Sequence, residues 1–160
     1  MADMLSDGNN KVSFVPALAN IAAPTVAELT GGTSLECLIT SDGLDISTDE
    51  SVVSAPKLCE TIDAEQPGRA KTTIQLTCVR KDIAAEDVAW TLLQRGLTGY
   101  LVVRRGTAVT TAYTAAQKVE VYPVKFGVRR PIKPEANGVE KFMSQAYNTA
   151  ASNLDAVIAA

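Results

Sequence analysis

Apolar and polar residues alternate most clearly between Lys71 and Arg80, where Ile74, Leu76 and Cys78 share one face and Thr73, Gln75 and Thr77 the other. A period of two predicts a half-buried strand. The period then changes. Ala85, Val88, Ala89, Leu92 and Leu93 recur at helical spacing, which predicts a helix over about residues 83–95 with one stripe against a core. Asp82 is placed to cap it, Glu86 and Asp87 lie near its positive end, and Arg95 and Gly96 are placed to end it. Gly99–Arg105 (GYLVVRR) runs four apolar residues together, as a strand covered on both faces would.

Elsewhere the pattern is weaker. Met1–Lys11 is a polar arm, and Val12–Ala23 is apolar but broken by Pro16, Asn20 and Pro24, which forbids a long helix. Residues 1–34 therefore read as an arm and an extended segment seeking a partner, such as a neighbouring subunit, and 35–160 as one domain. Leu35, Cys37 and Ile39 share a face, and Asp42–Gly43 is a strong hairpin signal that would bring Ile39 opposite Ile46. Residues 49–69 carry Pro56, Pro67 and Gly68 with little periodicity, a loop long enough to need a function or a partner. In Lys118–Val128 the apolar parity switches at Tyr122–Pro123, which one extra residue, a β-bulge, would explain. Val139, Phe142, Met143, Ala146, Tyr147 and Ala150 have helical spacing, although a strand remains possible there, and Asp155–Ala160 reads as a short last strand.

A chain of 160 residues with 46% hydrophobic and 21% charged content can bury a real core. No apolar run approaches the ~20 residues of a membrane helix. The start, MADMLSDGNN, is unlike a signal peptide, so the expectation is a protein made and kept in a cytoplasm. Cys37, Cys59 and Cys78 show no CxxC spacing; Cys37 and Cys78 fall on apolar parity and read as small buried hydrophobes. The chain has no histidine, which removes the commonest general base and metal ligand. No cofactor or metal is expected, and an enzyme working through acids is the least favoured reading.

Charge changes the picture more. Glu36, Asp42, Asp45, Asp49, Glu50, Glu60, Asp63 and Glu65 oppose only Lys57 between Glu36 and Glu65, whereas Arg69 to Lys133 is basic. Two solvated faces on a monomer would give this split. So would self-association in which an acidic surface on one copy meets a basic surface, around Arg104, Arg105, Arg129 and Arg130, on the next. Such head-to-tail contacts build rings or filaments. The arginine pairs are poor candidates for gripping nucleic acid, because the pI is about 5.0 and aromatics are 5%, with no recognisable motif. Trp90 reads as core packing.

The segments LECLITSDGLDIS, APKLCET, PGRAKTTIQLTCVRKD, GYLVVRRGTA and KVEVYPVKFGV, with the closing DAVIAA, follow one another in an order and spacing that resembles the major tail tube proteins of long non-contractile-tailed phages, especially actinobacterial ones. The resemblance covers the chain from about Leu35 onward. It implies a mainly β fold, a barrel-like sandwich with one flanking helix, and a strand rather than a helix near Lys141–Tyr147. It also implies a non-enzymatic virion protein, assembled in the bacterial host cytoplasm. Hexameric rings of the chain would stack into a tube around the tape-measure protein, meet terminator and tail-tip proteins, and later pass DNA without holding it. The arm and the long loop would contact neighbouring subunits. Thr73, Gln75 and Thr77 are candidates for the lumen wall. A tail terminator or connector and the inner tube of a contractile injection system share this fold. A monomeric β-sandwich binding module, for instance for carbohydrate, would want the exposed aromatic cluster that this composition lacks.

Overall fold

The computed structural model describes residues 1–160. In chain order it contains strand β1 (Asn10–Val15), helix α1 (Val26–Thr30), β2 (Thr33–Ser34), β3 (Ile39–Ser54), β4 (Glu65–Val79), helix α2 (Val88–Leu92), β5 (Thr98–Arg105), β6 (Lys118–Phe126), β7 (Arg130–Pro131), β8 (Lys141–Asn148) and β9 (Asn153–Val157). The strands form one antiparallel sheet in the order β2-β1-β5-β6-β8-β4-β3, with β7 on β8 and β9 on β6. The fold is mainly β, as expected.

Both faces of the sheet centre are covered. Leu101 and Val103 of β5 enter a larger core with Ile74, Leu76, Cys78 and Phe142. Val102, one residue away, enters a smaller core with Val119, Val121, Ala156 and Ile158. This explains why β5 reads as a continuous apolar run. It also corrects the bulge expected at Tyr122–Pro123. β6 runs against β5 in unbroken register from Thr98↔Lys125 to Val103↔Glu120. Val119 and Val121 face the smaller core while Tyr122, Val124 and Phe126 face the larger one, so ordinary alternation produces the parity switch. Pro123 sits where β6 changes partner, from β9 to β8. Its carbonyl accepts from the Thr149 amide at 3.0 Å, and the N–H it lacks faces the gap between those two strands.

The front half differs most from its sequence reading. Val12–Val15 finds its partner within the chain: β1 lies between β2 and β5, in register from Asn10↔Arg105 to Val15↔Tyr100, so there is no boundary at residue 34. Leu35–Leu38 is a turn, not a strand, and it leaves Cys37 exposed. Asp42–Gly43 makes no hairpin. Ile39 pairs with Cys78 and Leu44 with Leu76, so residues 40–43 form a bulge within β3. A Cβ on Gly43 would stand 2.4 Å from the Thr77 carbonyl oxygen; the glycine is there for close backbone approach, not for a turn. Most of residues 49–69 is strand, leaving only 55–64 between β3 and β4. The two strands stay paired out to Ser54↔Glu65. Ser51 fills a second irregularity, its hydroxyl accepting from the Arg69 amide (2.9 Å) and donating to the Arg69 carbonyl (3.1 Å).

The flanking helix is shorter than the periodicity predicted. Only Val88–Leu92 is helical, and the Asp87 carboxylate does not cap it but accepts from Arg80 Nε at 2.8 Å and from the Lys81 amide. Ala89 and Leu93 still face the larger core, and Gly96 takes the positive φ (90°) that ends the segment. A second helix, α1, was not anticipated. Lys141–Asn148 is a strand, with Phe142, Ser144 and Ala146 buried and the residues between them facing out. The family resemblance is right there and the helical spacing is a coincidence.

Candidate assembly surfaces

Beyond the pair Ile46↔Ile74 the β3–β4 hairpin carries no buried residue. It leaves the body as a two-stranded ribbon whose first pair is tied by the Thr48 and Thr72 hydroxyls, 3.1 Å apart. From Thr48 to Ser54 it extends about 20 Å at ~3.3 Å per residue. Val52 and Val53 stand exposed on it, as do Leu58 and Ile62 in its end loop. β3 is also one edge of the sheet, so its outer backbone groups have no strand partner.

The structure collects the acidic candidates on this hairpin. Asp42 and Asp45 lie at its root, Asp49, Glu50 and Glu65 on its strands, and Glu60 and Asp63 in its end loop, all exposed. Glu60 pairs with Lys57 at 3.2 Å. The basic candidates do not gather in the same way, and one must be withdrawn. Arg104 is 1% exposed. Its Nη1 donates to the Ala112 carbonyl and Gln117 Oε1, both at 3.1 Å, and its Nη2 to the Ala108 and Thr111 carbonyls at 2.9 and 2.8 Å. A guanidinium presents its donors as a rigid fork, and here that fork folds the 106–117 loop around itself, so no neighbouring chain can meet it.

Arg105 points the other way. Its Nε donates to Glu120 Oε1 at 2.9 Å while the Tyr122 hydroxyl donates to Glu120 Oε2 at 2.7 Å. The hydrogen bond to Glu120 raises the Arg105 pKa, and burial together with that carboxylate raises the Tyr122 pKa. Arg129 stacks on Trp90, 4.1 Å from the ring centroid, with Arg80 at 3.8 Å. Trp90 itself packs edge-on against Phe142, as core packing requires. Arg130 is exposed and donates to Gln145 Oε1 at 3.1 Å.

Thr73, Gln75 and Thr77 share the outward face of β4, opposite Tyr147, Gln145 and Met143 of β8. Gln75 contacts the Met143 sulfur. These six side chains form a half-buried, uncharged strip on β4 and β8, flanked on the same face by Asp45 of β3, Lys125 of β6 and Arg130 of β7. Cys78, on the inward face, has its thiol pushed up to about 12 by burial, whereas Cys37 and Cys59 are exposed. No three Cys, Asp or Glu side chains converge as a metal site would require, and no helix is long and apolar enough to cross a membrane. Sequence reasoning missed the Arg104 anchor. Its one available signal was an arginine directly after an apolar run buried on both faces.

No curated protein matches the chain. Among solved structures, the sheath/tube terminator of an extracellular contractile injection system (PVC), in its extended state, is similar in fold with a TM-score of 0.59 at 11% identity, covering 96% of this chain and 97% of that one. At that identity the likeness speaks for the fold alone. The family described as phage tail tube protein matches residues 1–160. This chain belongs to the phage tail tube protein family.

Proposed function

We propose that this chain is the repeating subunit of a phage tail tube, six copies closing into a ring and rings stacking around the tape-measure protein. The observation that carries the reading is the β3–β4 ribbon. It is long and well paired, it buries nothing of its own, and its outer edge is free. An exposed edge of this length invites pairing with other chains, and closing a sheet across subunits removes the edges. The acids on the ribbon, the exposed cations Arg105 and Arg130 and the half-buried Arg129 supply complementary charge for such contacts. Thr73, Gln75 and Thr77 are themselves uncharged, which suits a lumen wall, since side chains without positive charge do not retain phosphates. The role is structural, in the virion tail, with assembly in the host cytoplasm and no chemistry asked of any residue.

Negative-stain electron microscopy of the purified chain, with sizing by light scattering, tests this. The expected outcome is rings or tubes about 100 Å wide, the scale of six such domains around a channel. A species that stays monomeric at millimolar concentration and in the presence of tail-tip proteins overturns it. Rings that never stack would instead favour a terminator, the role of the similar solved structure.

A further inference from the structure

The larger core does not close at the root of the ribbon. Ile46 continues the inward face of β3 and is only partly buried against that core. Tyr122 and Glu120 continue the same face of β6, and the β8–β9 turn forms the far wall, with Leu154 60% exposed at the rim. Between them lies an open groove of about 870 Å³. The far end of the ribbon is in the opposite condition. Leu58 and Ile62 are 108% and 80% exposed, two aliphatic side chains that no part of their own chain covers. The ribbon is paired out to Ser54↔Glu65, so its end loop is held away from its own root and cannot fill its own groove.

We propose that the groove receives the 55–64 loop of a second copy, with Leu58 and Ile62 completing the open end of the core against Ile46 and Leu154. Charge agrees with this occupant. The loop brings Glu60 and Asp63 with one cation, Lys57, which pairs with Glu60, and the groove presents Lys71 and Arg105 with one acid, Glu120, which pairs with Arg105. A net negative loop thus meets a net positive groove, with Asp63 and Lys71 left to orient the docking. Donor and acceptor are different surfaces of one chain, so the contact is heterologous and propagates from copy to copy. The inference rests on the self-assembly reading above and adds to it the surface that accepts the loop.

Cys59 lies between Leu58 and Glu60 and is exposed, which provides a native probe. In a Cys37→Ser background, with Cys78 buried, Ala150→Cys or Ala151→Cys is introduced in the groove wall and the assembled protein is mildly oxidised. The expected result is a ladder of disulfide-linked trimers, tetramers and longer species on non-reducing gels. Cys59 without a groove cysteine gives dimers at most, because one thiol per chain cannot propagate. Leu58→Asp combined with Ile62→Asp should cut the ladder about tenfold or more, while circular dichroism and the unfolding midpoint of the monomer stay unchanged. Rings or tubes that form normally by microscopy but give no ladder from either groove position overturn this docking and leave the tube reading standing. Failure of the parent protein to assemble removes both.

Discussion

Arg104 shows how one side chain can fix a surface it never joins. Four of its N–H groups are taken by the 108–117 segment, its guanidinium lies 5.3 Å from the centroid of the Tyr113 ring, and the Tyr113 hydroxyl is bonded to Ser13 at 2.9 Å. Loop 106–117, β5 and β1 are therefore clamped at one point. Removing the fork strands three carbonyls and the Gln117 amide oxygen, and each bond lost to a charged donor costs about 1.5–3 kcal/mol before relaxation. Arg104→Ala is expected to destabilise the monomer by about 3 kcal/mol, read from urea unfolding, and Arg104→Lys by less, since an ammonium reaches fewer of the four acceptors. Charge reversal at Arg104 would consequently test folding rather than assembly, and Arg130 is the cation at which reversal leaves the fold intact. An Arg104→Ala variant as stable as the parent contradicts the anchor.

At the scale of elements, the bulge in β3 decides where the ribbon points. Residues 40–43 stand opposite Thr77 alone, with the single Thr40 hydroxyl proton shared between Asp42 Oδ1 and the Thr77 carbonyl, and extra residues of this kind bend a strand. Gly43→Ala would drive a methyl group into backbone on β4, which must shift, at an expected cost of about 2 kcal/mol in urea unfolding. Asp42→Asn, which a type I′ turn would tolerate equally, is no discriminator; a Gly43→Ala variant of unchanged stability is what would reject the bulge. Asp-Gly reads the same in both settings because each needs a small residue beside a polar one, and only the pairing of Ile39 with Cys78 separates them. Local pattern was enough for β4 and β5, where an inward face repeats every second residue. It failed for the ribbon, whose two faces both meet water and so carry no periodicity. It failed for β8 because Met143 and Tyr147 place apolar atoms on the outer face, filling in a false helical stripe. The helix α1 was legible. Thr25-Val-Ala-Glu28 is a capping box: the Thr25 side chain accepts from the Glu28 amide, and the Glu28 carboxylate accepts from the Thr25 and Ala19 amides, which lowers its pKa.

For the whole molecule, the question is whether the ribbon belongs to the fold or to the assembly. Its contribution to the core ends at Ile46 and Ile74, so the residues beyond contribute ladder hydrogen bonds on a two-stranded piece, which alone is marginally stable in water. Ordering about ten loop residues also has an entropic cost of roughly 1 kcal/mol or more each, against which the loop sets the exposed Lys57–Glu60 pair and the Glu60 N–H to Lys57 carbonyl turn bond. In the proposed assembly, a second chain covering the exposed Val52, Val53, Leu58 and Ile62 would compensate the ordering. Replacing residues 49–71 by an Asn-Gly turn between Thr48 and Thr72 separates the two roles cleanly. The pairing Ile46↔Ile74 is kept, and two-residue loops favour Asn-Gly in a primed turn. The truncated chain is expected to unfold cooperatively with a stability within about 1 kcal/mol of the parent, because no buried apolar surface is removed. It is also expected to remain monomeric by light scattering at concentrations where the parent forms rings or tubes. A truncated chain that still polymerises would transfer the assembly function to the body of the sheet. One that fails to fold would make the ribbon part of the core's support, and the separation of a self-sufficient body from an arm that waits for a neighbour would not hold.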